Sequence, residues 1–254
     1  IPSFGPLSWS VPGCVSGWQE LLKKFGSRKI AELLQPAIDY AKEGFPVSPN
    51  IAADWKPENG VIDFNTLNGV FLTDNKGVNA GEIFRNKGLA RTFEMLAKEG
   101  ADSFYEGEIA DRIVSFSKKH GGRFEKKDFA AHRSTWVDPI SVNYRGYDVW
   151  QLPPNGQGMV VLQMLNILEN FDISKLTPGS AQHYHLFLEA KKLCFQDRAI
   201  YYADTDFHKA PIKELLSKEY ARHRASLINP NKASLKVDPG RIKNSSNTVY
   251  LTVA

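Results

Sequence analysis

Several features that mark specialised protein classes are scarce in this sequence. Cys14 and Cys194 are its only cysteines among 254 residues, and neither belongs to a Cys-x-x-Cys or Cys-His cluster, which argues against a zinc site or a disulfide-rich scaffold. No apolar run approaches the roughly 20 residues of a membrane-spanning helix. Basic residues exceed acidic ones by only four and are scattered among them. The sequence therefore predicts a globular chain with no metal site, no nucleic-acid partner and no transmembrane segment.

Helical periodicity runs through much of the chain. Gly26 is expected to end the first helix in a left-handed conformation, and Pro36 either opens a new helical turn or kinks the second helix. Residues 45–82 are rich in Pro, Gly, Asn and Asp, which predicts loops and short helices. Apolar residues recur every three or four positions in six segments, near 18–25, 30–41, 89–97, 109–116, 160–171 and 181–202.

Strand-like patterns are few. Alternating apolar residues on both sides of Arg145-Gly146 predict a β-hairpin near 139–152. Asp238-Pro239-Gly240-Arg241 predicts a turn into a terminal strand that begins at Thr248 and stops with the sequence. Either this is an edge strand, or the sequence is a piece of something longer. So few strands would not form a stable sheet alone, which indicates that a partner chain or a segment outside this sequence supplies the rest.

Two polar motifs each have a chemical and a structural interpretation. Gly156-Gln157-Gly158, just before a predicted helix, resembles an anion-binding turn. It lacks the spacing of a phosphate loop or a dinucleotide fingerprint, so a conformational role for its glycines is favoured and no cofactor is expected. His183 and His185 are two positions apart, which on a helix turns them about 200° away from each other and disfavours a shared metal ion.

Charged residues also interrupt the long apolar segment near 181–202. Glu189, Asp197 and Arg198 lie among large apolar residues, so they are expected to press against a core and to need partners there. An internal ion pair between Asp197 and Arg198 that orients the helix is the favoured interpretation, because no nucleophile lies nearby in the sequence.

Thr248 carries a different chemical possibility. If the bond between Asn247 and Thr248 were cut, Thr248 would hold a hydroxyl nucleophile and a free α-amino group, and an α-amine with a reference pKa of about 7.7–8.0 can act as a general base. From local sequence alone, the stretch Thr-Val-Tyr-Leu-Thr-Val is better explained as an ordinary strand. The strand is therefore the favoured local interpretation, and the catalytic one is its alternative.

Several stretches of the chain form an ordered set. The longest are residues 152–172 and 189–204 and the final Asn-Thr-Val-Tyr-Leu-Thr-Val-Ala. Shorter ones are Val-Pro-Gly-Cys-Val-Ser-Gly-Trp at 11–18, Gln35-Pro36-Ala37-Ile38, Gly44-Phe45, Phe104-Tyr105-Glu106-Gly107 and Tyr144-Arg145-Gly146-Tyr147. Taken together, in this order and spacing, they resemble the gamma-glutamyltransferase (gamma-glutamyl transpeptidase) family along nearly the whole chain.

This resemblance implies a helix-rich α+β fold that forms part of the αββα sandwich of an N-terminal-nucleophile hydrolase. It also implies a precursor that cleaves itself between Asn247 and Thr248, with Thr248 as the catalytic nucleophile on gamma-glutamyl amides such as glutathione. Residues 1–247 would then belong to the large subunit and 248–254 to the first strand of the small subunit, its partner. The family's oxyanion glycines and substrate arginine would lie outside the sequence, so these residues alone are expected to be inactive.

Two local departures widen the range of expected substrates. The family often has Thr-Thr-His after the cleavage point and a Ser-Ser-Gly-Gly loop, where this chain has Thr248-Val249-Tyr250 and Pro153 to Gly158. This variant is similar to homologues that include cephalosporin and glutaryl acylases. The alternatives are therefore an acylase-like amidohydrolase and a catalytically inactive homologue that binds a peptide-like ligand. Family members are commonly exported, which implies a periplasmic or extracellular location.

Overall fold

A computed structural model describes residue 2 and residues 5–55, 70–73 and 76–242. The chain forms two compact units, one ending at Thr135 and the other beginning at Trp136. The first unit contains helices α1 (Cys14–Phe25), α2 (Ile30–Glu43), α3 (Pro49–Asp54), α4 (Lys87–Glu99), α5 (Asp102–Glu106), α6 (Glu108–Lys119) and α7 (Lys126–Ala131), and strands β1 (Phe45–Pro46), β2 (Leu72–Thr73), β3 (Lys76–Gly77) and β4 (Ile83–Phe84). The second contains β5 (Ile140–Tyr144), β6 (Tyr147–Gln151), α8 (Gly158–Leu168), α9 (Ala181–Tyr201), α10 (Ile212–Leu215) and α11 (Lys218–Ala225).

Helix packing forms the core of the first unit. The apolar stripe of α2 lies against α4, and α5 packs against α6 and α7. Leu96 is 1% exposed and Phe129 is fully buried, and removing a side chain of this size from water stabilises the fold by about 1.5–3 kcal/mol. Several helices in the described part of the chain begin at a side chain that caps a free backbone N–H group, which fixes their first turns; these caps include Ser48, Asn86, Ser180 and Ser217.

The second unit begins with an antiparallel hairpin, in which Tyr144 pairs with Tyr147 and Ile140 with Gln151. Its two turn residues both have positive φ, 52° at Arg145 and 90° at Gly146, as a two-residue turn that follows the twist of the strands requires. Glu169 fixes this turn, because it accepts a hydrogen bond from the Arg145 N–H at 2.9 Å and forms an ion pair with Lys218 of α11.

Two aromatic residues of the hairpin are accessible to solvent. Tyr147 is 77% exposed and Trp150 is 57% exposed. Within the described residues, β5 and β6 pair only with each other. The backbone groups on the outer side of each strand therefore have no strand partner in that part of the chain.

Helix α8 lies at the centre of the second unit. Eight of its eleven residues are buried, because it contacts both strands of the hairpin as well as α9 and α11. Gly158 permits its close approach to the end of β6, since a Cβ atom there would lie 2.5 Å from Oε1 of Gln151. None of the helices in the described ranges is both long and apolar enough to cross a membrane.

Most predicted helices and the hairpin are present, with three local differences. The stretch 45–82, predicted as loops and short helices, also contains the pair β2–β3 and strand β1, which pairs with β4. Gly26 follows α1 with φ −75° and ψ 139°, so the expected left-handed stop is wrong, and the chain leaves the helix in an extended conformation. The predicted turn at Asp238–Arg241 is also wrong, because this segment has no regular turn. Helix α2 runs through Pro36 as one element.

Candidate functional site

The two residues predicted to take part in cleavage, Asn247 and Thr248, lie outside the described residues. The described chain ends at Ile242, and Asp238, Pro239 and Gly240 form the segment that leads toward them. The candidate site is therefore built from this segment and from the side chains that hold it. All of these side chains come from helices of the second unit.

Asp197 is the centre of the site. It projects from the buried face of α9 and is fully buried. Its Oδ1 atom accepts a hydrogen bond from the Gly240 backbone N–H at 2.7 Å and forms an ion pair with Nη2 of Arg224 at 3.1 Å. Its Oδ2 atom accepts from the Tyr220 hydroxyl at 2.9 Å and from Nε2 of Gln163 at 3.2 Å. Three hydrogen-bond donors and one cation thus surround one buried carboxylate, which is the arrangement that makes its burial tolerable.

Arg224 supplies the positive charge at the centre of the site. Only 2% of it is exposed. Its Nη2 atom also donates to the carbonyl oxygens of Leu193 on α9, at 3.0 Å, and of Asp238, at 3.1 Å. One guanidinium group therefore joins α11 to α9 and both helices to the downstream segment. Arginine suits this position because its planar group offers several donors in fixed directions.

The segment around Pro239 is held at both of its neighbouring residues. Arg224 binds the carbonyl of Asp238, Asp197 binds the N–H of Gly240, and the Tyr201 hydroxyl donates to the carbonyl of Gly240 at 2.7 Å. Gly240 lies so close to Tyr220 that a Cβ atom would be 1.8 Å from the Tyr220 hydroxyl oxygen. Only glycine fits here without movement of the ring.

Burial dominates the electrostatics of the site. It raises the pKa of the Asp197 carboxyl, while the Gly240 N–H, Arg224 and the two side-chain donors oppose that rise. Burial likewise raises the pKa of Tyr220, and the nearby Asp197 charge raises it further. The Tyr220 hydroxyl therefore stays protonated at neutral pH and serves as a hydrogen-bond donor to Asp197.

The predicted ion pair between Asp197 and Arg198 is wrong. The guanidinium of Arg198 lies over the Phe195 ring, 5.5 Å from its centre, because adjacent residues on a helix point about 100° apart. The sequence analysis missed Arg224 as the true partner. Its position three residues after Ala221 and one before Ala225, both buried, places it on the apolar face of α11, which is the signal that would have identified it.

The other sequence candidates have structural partners. Glu189 is buried as predicted and accepts hydrogen bonds from Lys192 Nζ at 2.6 Å and the Ser234 N–H at 3.2 Å. Burial acts to raise the pKa of Glu189, but these two partners outweigh it and the pKa is lowered. His183 accepts from the Gly179 N–H and His185 contacts the Asn229 carbonyl. Within the described ranges, no group of three or more His, Cys, Asp or Glu side chains is arranged to hold a metal ion.

Comparison with known proteins gives consistent matches. The family model described as gamma-glutamyltranspeptidase matches residues 1–254. The chain is 40% identical to a glutathione hydrolase-like YwrD proenzyme of Bacillus subtilis over 86% of its own length. It is also similar to the crystal structure of Helicobacter pylori gamma-glutamyltranspeptidase, with a TM-score of 0.83 and 32% identity over 96% of this chain and 72% of that one.

A cephalosporin acylase from Bacillus halodurans is similar as well, with a TM-score of 0.79 and 38% identity over 90% of this chain and 44% of that one. The chain spans less than half the length of the curated relatives that it matches, including 42% of the Bacillus subtilis protein. These similarities confirm the helix-rich α+β fold of an N-terminal-nucleophile hydrolase.

Proposed function

Because the chain belongs to the gamma-glutamyltranspeptidase family, we propose that the full-length protein is a self-cleaving enzyme that transfers or hydrolyses gamma-glutamyl amides such as glutathione. Thr248 is its nucleophile, and residues 248–254 begin its small subunit. The observation that carries this proposal is the family match over residues 1–254, which includes the Asn247-Thr248 pair. The printed name of the Bacillus subtilis relative, a proenzyme, agrees with a cleaved precursor.

Maturation uses chemistry that is available to a threonine within the chain. The Thr248 hydroxyl attacks the Asn247 carbonyl carbon, a C–O bond forms, and the amide C–N bond breaks as the nitrogen takes up a proton. Water then hydrolyses the ester. This second step leaves a carboxylate on Asn247 and returns the hydroxyl to Thr248, which now carries a free α-amino group.

The same residue then performs turnover. The free amine, with a reference pKa of about 7.7–8.0, accepts the hydroxyl proton while the oxygen attacks the gamma-glutamyl carbonyl of the substrate. The leaving amine takes the proton, and an ester links the acyl group to Thr248. Water or an acceptor amine releases the acyl group. No metal or organic cofactor enters this scheme.

The proposed small subunit would supply strand partners for β5 and β6, which pair only with each other among the described residues. Its strands would add to the sheet that β5 and β6 begin, which completes the αββα sandwich. Residues 1–247 form most of the large subunit, which is the partner of the small subunit. We also place the mature protein in the periplasm or the extracellular space, as for exported family members.

An acylase-like amidohydrolase is the second candidate. The similarity to the Bacillus halodurans cephalosporin acylase and the sequence Thr248-Val249-Tyr250 favour it. Both candidates use the same nucleophile and differ in the acyl group that they accept. Turnover of gamma-glutamyl anilides and of glutaryl amides by the mature protein distinguishes them.

The decisive experiment is intact mass spectrometry of the protein expressed from its complete gene. Two chains are expected, the second beginning at Thr248. Thr248→Ala should remain uncut and inactive, while Thr248→Ser should keep part of both functions because it retains a hydroxyl group. Cleavage of the alanine variant at the same bond would refute the proposal. A folded wild-type protein that stays uncut would favour an inactive homologue that binds a peptide-like ligand.

A further inference from the structure

We propose that Asp197, Arg224 and Tyr201 are positioning residues for self-cleavage. They hold residues 238–240 in place, so that only a short stretch of chain separates a fixed point from the Asn247–Thr248 bond. We refer to these three residues as the clamp. The inference rests on the proposed function, because it assigns a task within the maturation of the same precursor. It assigns a role in maturation to residues that are far from Thr248 in the sequence.

The clamp binds main-chain atoms of a segment that has no regular secondary structure. Backbone groups of such segments usually bond to nearby backbone or to water. Here the Asp238 carbonyl, the Gly240 N–H and the Gly240 carbonyl each bond to a buried side chain, at 3.1, 2.7 and 2.7 Å. Three contacts from two helices leave little freedom to the chain on either side of Pro239.

Stability alone is a poor explanation for a buried ion pair at this position. Apolar side chains of similar volume generally pack two helices together as well as a buried ion pair does, without its desolvation penalty. Apolar side chains cannot, however, bind the backbone of a third segment. The Asp197–Arg224 pair does so at both Asp238 and Gly240, and this is the feature that distinguishes it from a simple contact between α9 and α11.

The anchored segment limits where the scissile bond can lie. From Gly240 to Asn247 the chain has about seven residues, which span at most about 25 Å when extended. A tether held at one end samples a smaller volume than a free one, and self-cleavage depends on the close alignment of the Thr248 hydroxyl with the Asn247 carbonyl. Loosening the clamp should therefore slow cleavage even where the protein still folds.

Two adjacent tyrosines at the end of α9 provide a matched test. Tyr201 donates its hydroxyl to the Gly240 carbonyl, whereas Tyr202 donates to the Gln163 side chain. Tyr201→Phe and Tyr202→Phe each remove one hydroxyl and keep the ring, but only the first removes a bond to the segment. Full-length precursors of both variants would be purified early, and the appearance of the second chain would be followed by intact mass spectrometry.

Tyr201→Phe is expected to cleave about fivefold more slowly than the wild type, which corresponds to the loss of one net hydrogen bond. The cleavage rate of Tyr202→Phe should stay within about twofold of the wild-type rate. The melting temperatures of Tyr201→Phe and Tyr202→Phe should fall by similar amounts. In Tyr201→Phe the fall in cleavage rate should exceed any fall in kcat/KM of the fully matured enzyme, a difference that general structural damage would not produce.

A wild-type cleavage rate in Tyr201→Phe would overturn the positioning role and leave the proposed function intact. An uncut wild-type protein, by contrast, would refute the proposed function itself. Asp197→Asn provides a second measurement, since it keeps the shape but removes the charge that holds Arg224. If this variant folds, it should cleave more slowly than Tyr201→Phe, and normal cleavage would also refute the inference.

Discussion

Replacing Arg224 with methionine tests the energetic account of the buried site. The substitution keeps a long side chain but removes the ion pair with Asp197 and the hydrogen bonds to the carbonyls of Leu193 and Asp238, at 3.0–3.1 Å. Asp197 would remain fully buried with no counter-charge. Removing one partner of a buried ion pair costs about 3–5 kcal/mol, and the loss of two hydrogen bonds from a charged donor gives a similar sum of about 3–6 kcal/mol.

The assay is urea unfolding of the full-length protein in a Thr248→Ala background, which keeps every sample as one uncut chain. Arg224→Met should lower the free energy of unfolding by about 3–5 kcal/mol. The double variant Asp197→Leu with Arg224→Met should recover only part of that loss, because it leaves no charge buried without a partner but removes the acceptor of the Gly240 N–H and the Tyr220 hydroxyl. A loss below about 1 kcal/mol in the single variant would refute the claim that this pair is energetically coupled.

Two further substitutions test neighbouring contacts. Gly240→Ala places a Cβ atom 1.8 Å from the Tyr220 hydroxyl oxygen and should lower the free energy of unfolding by about 1–3 kcal/mol; an unchanged urea midpoint would contradict this packing. Glu169 has a lowered pKa because Lys218 and then the Arg145 N–H bind its carboxylate, so its stabilisation is present above its unfolded pKa of about 4.3 and is lost as the pH falls through the lower folded value. Glu169→Gln should therefore cost about 1 kcal/mol at pH 7, and a wild-type advantage that did not decline as the pH fell below the unfolded pKa of about 4.3 would contradict the assignment.

Periodicity in the sequence was sufficient for the helices and the hairpin because their signals are local. Arg145-Gly146 predicts a two-residue turn by itself, and both residues have the required positive φ. Gly26 shows the limit of such rules. It follows a helix, but a Cβ atom there would lie 2.6 Å from the Leu22 carbonyl oxygen, so close approach rather than a left-handed turn accounts for the glycine.

The polar site was only half predictable from the sequence. Asp197 was recognisable as a buried charge because apolar residues surround it in the sequence. Its partner was not, because Arg224 lies 27 residues further along the chain and meets Asp197 only when α9 packs near α11. Long-range pairings of this kind depend on tertiary packing, about which residue spacing carries little information. The conformation of the segment before Arg241 likewise depends on the side chains that bind it.

The exposed hairpin has a consequence for the timing of biosynthesis. This chain spans 42% of the Bacillus subtilis relative. In a protein of that relative's length, residues 140–151 leave the ribosome well before the second half is synthesised. At about 5–20 residues per second, a second half of similar length takes tens of seconds to translate. During that interval Tyr147 and Trp150 lie in water, beside strand edges that have no partner in the described part of this chain. The nascent chain is therefore most vulnerable to aggregation in this interval, and a holding chaperone should raise its yield more than that of the finished protein.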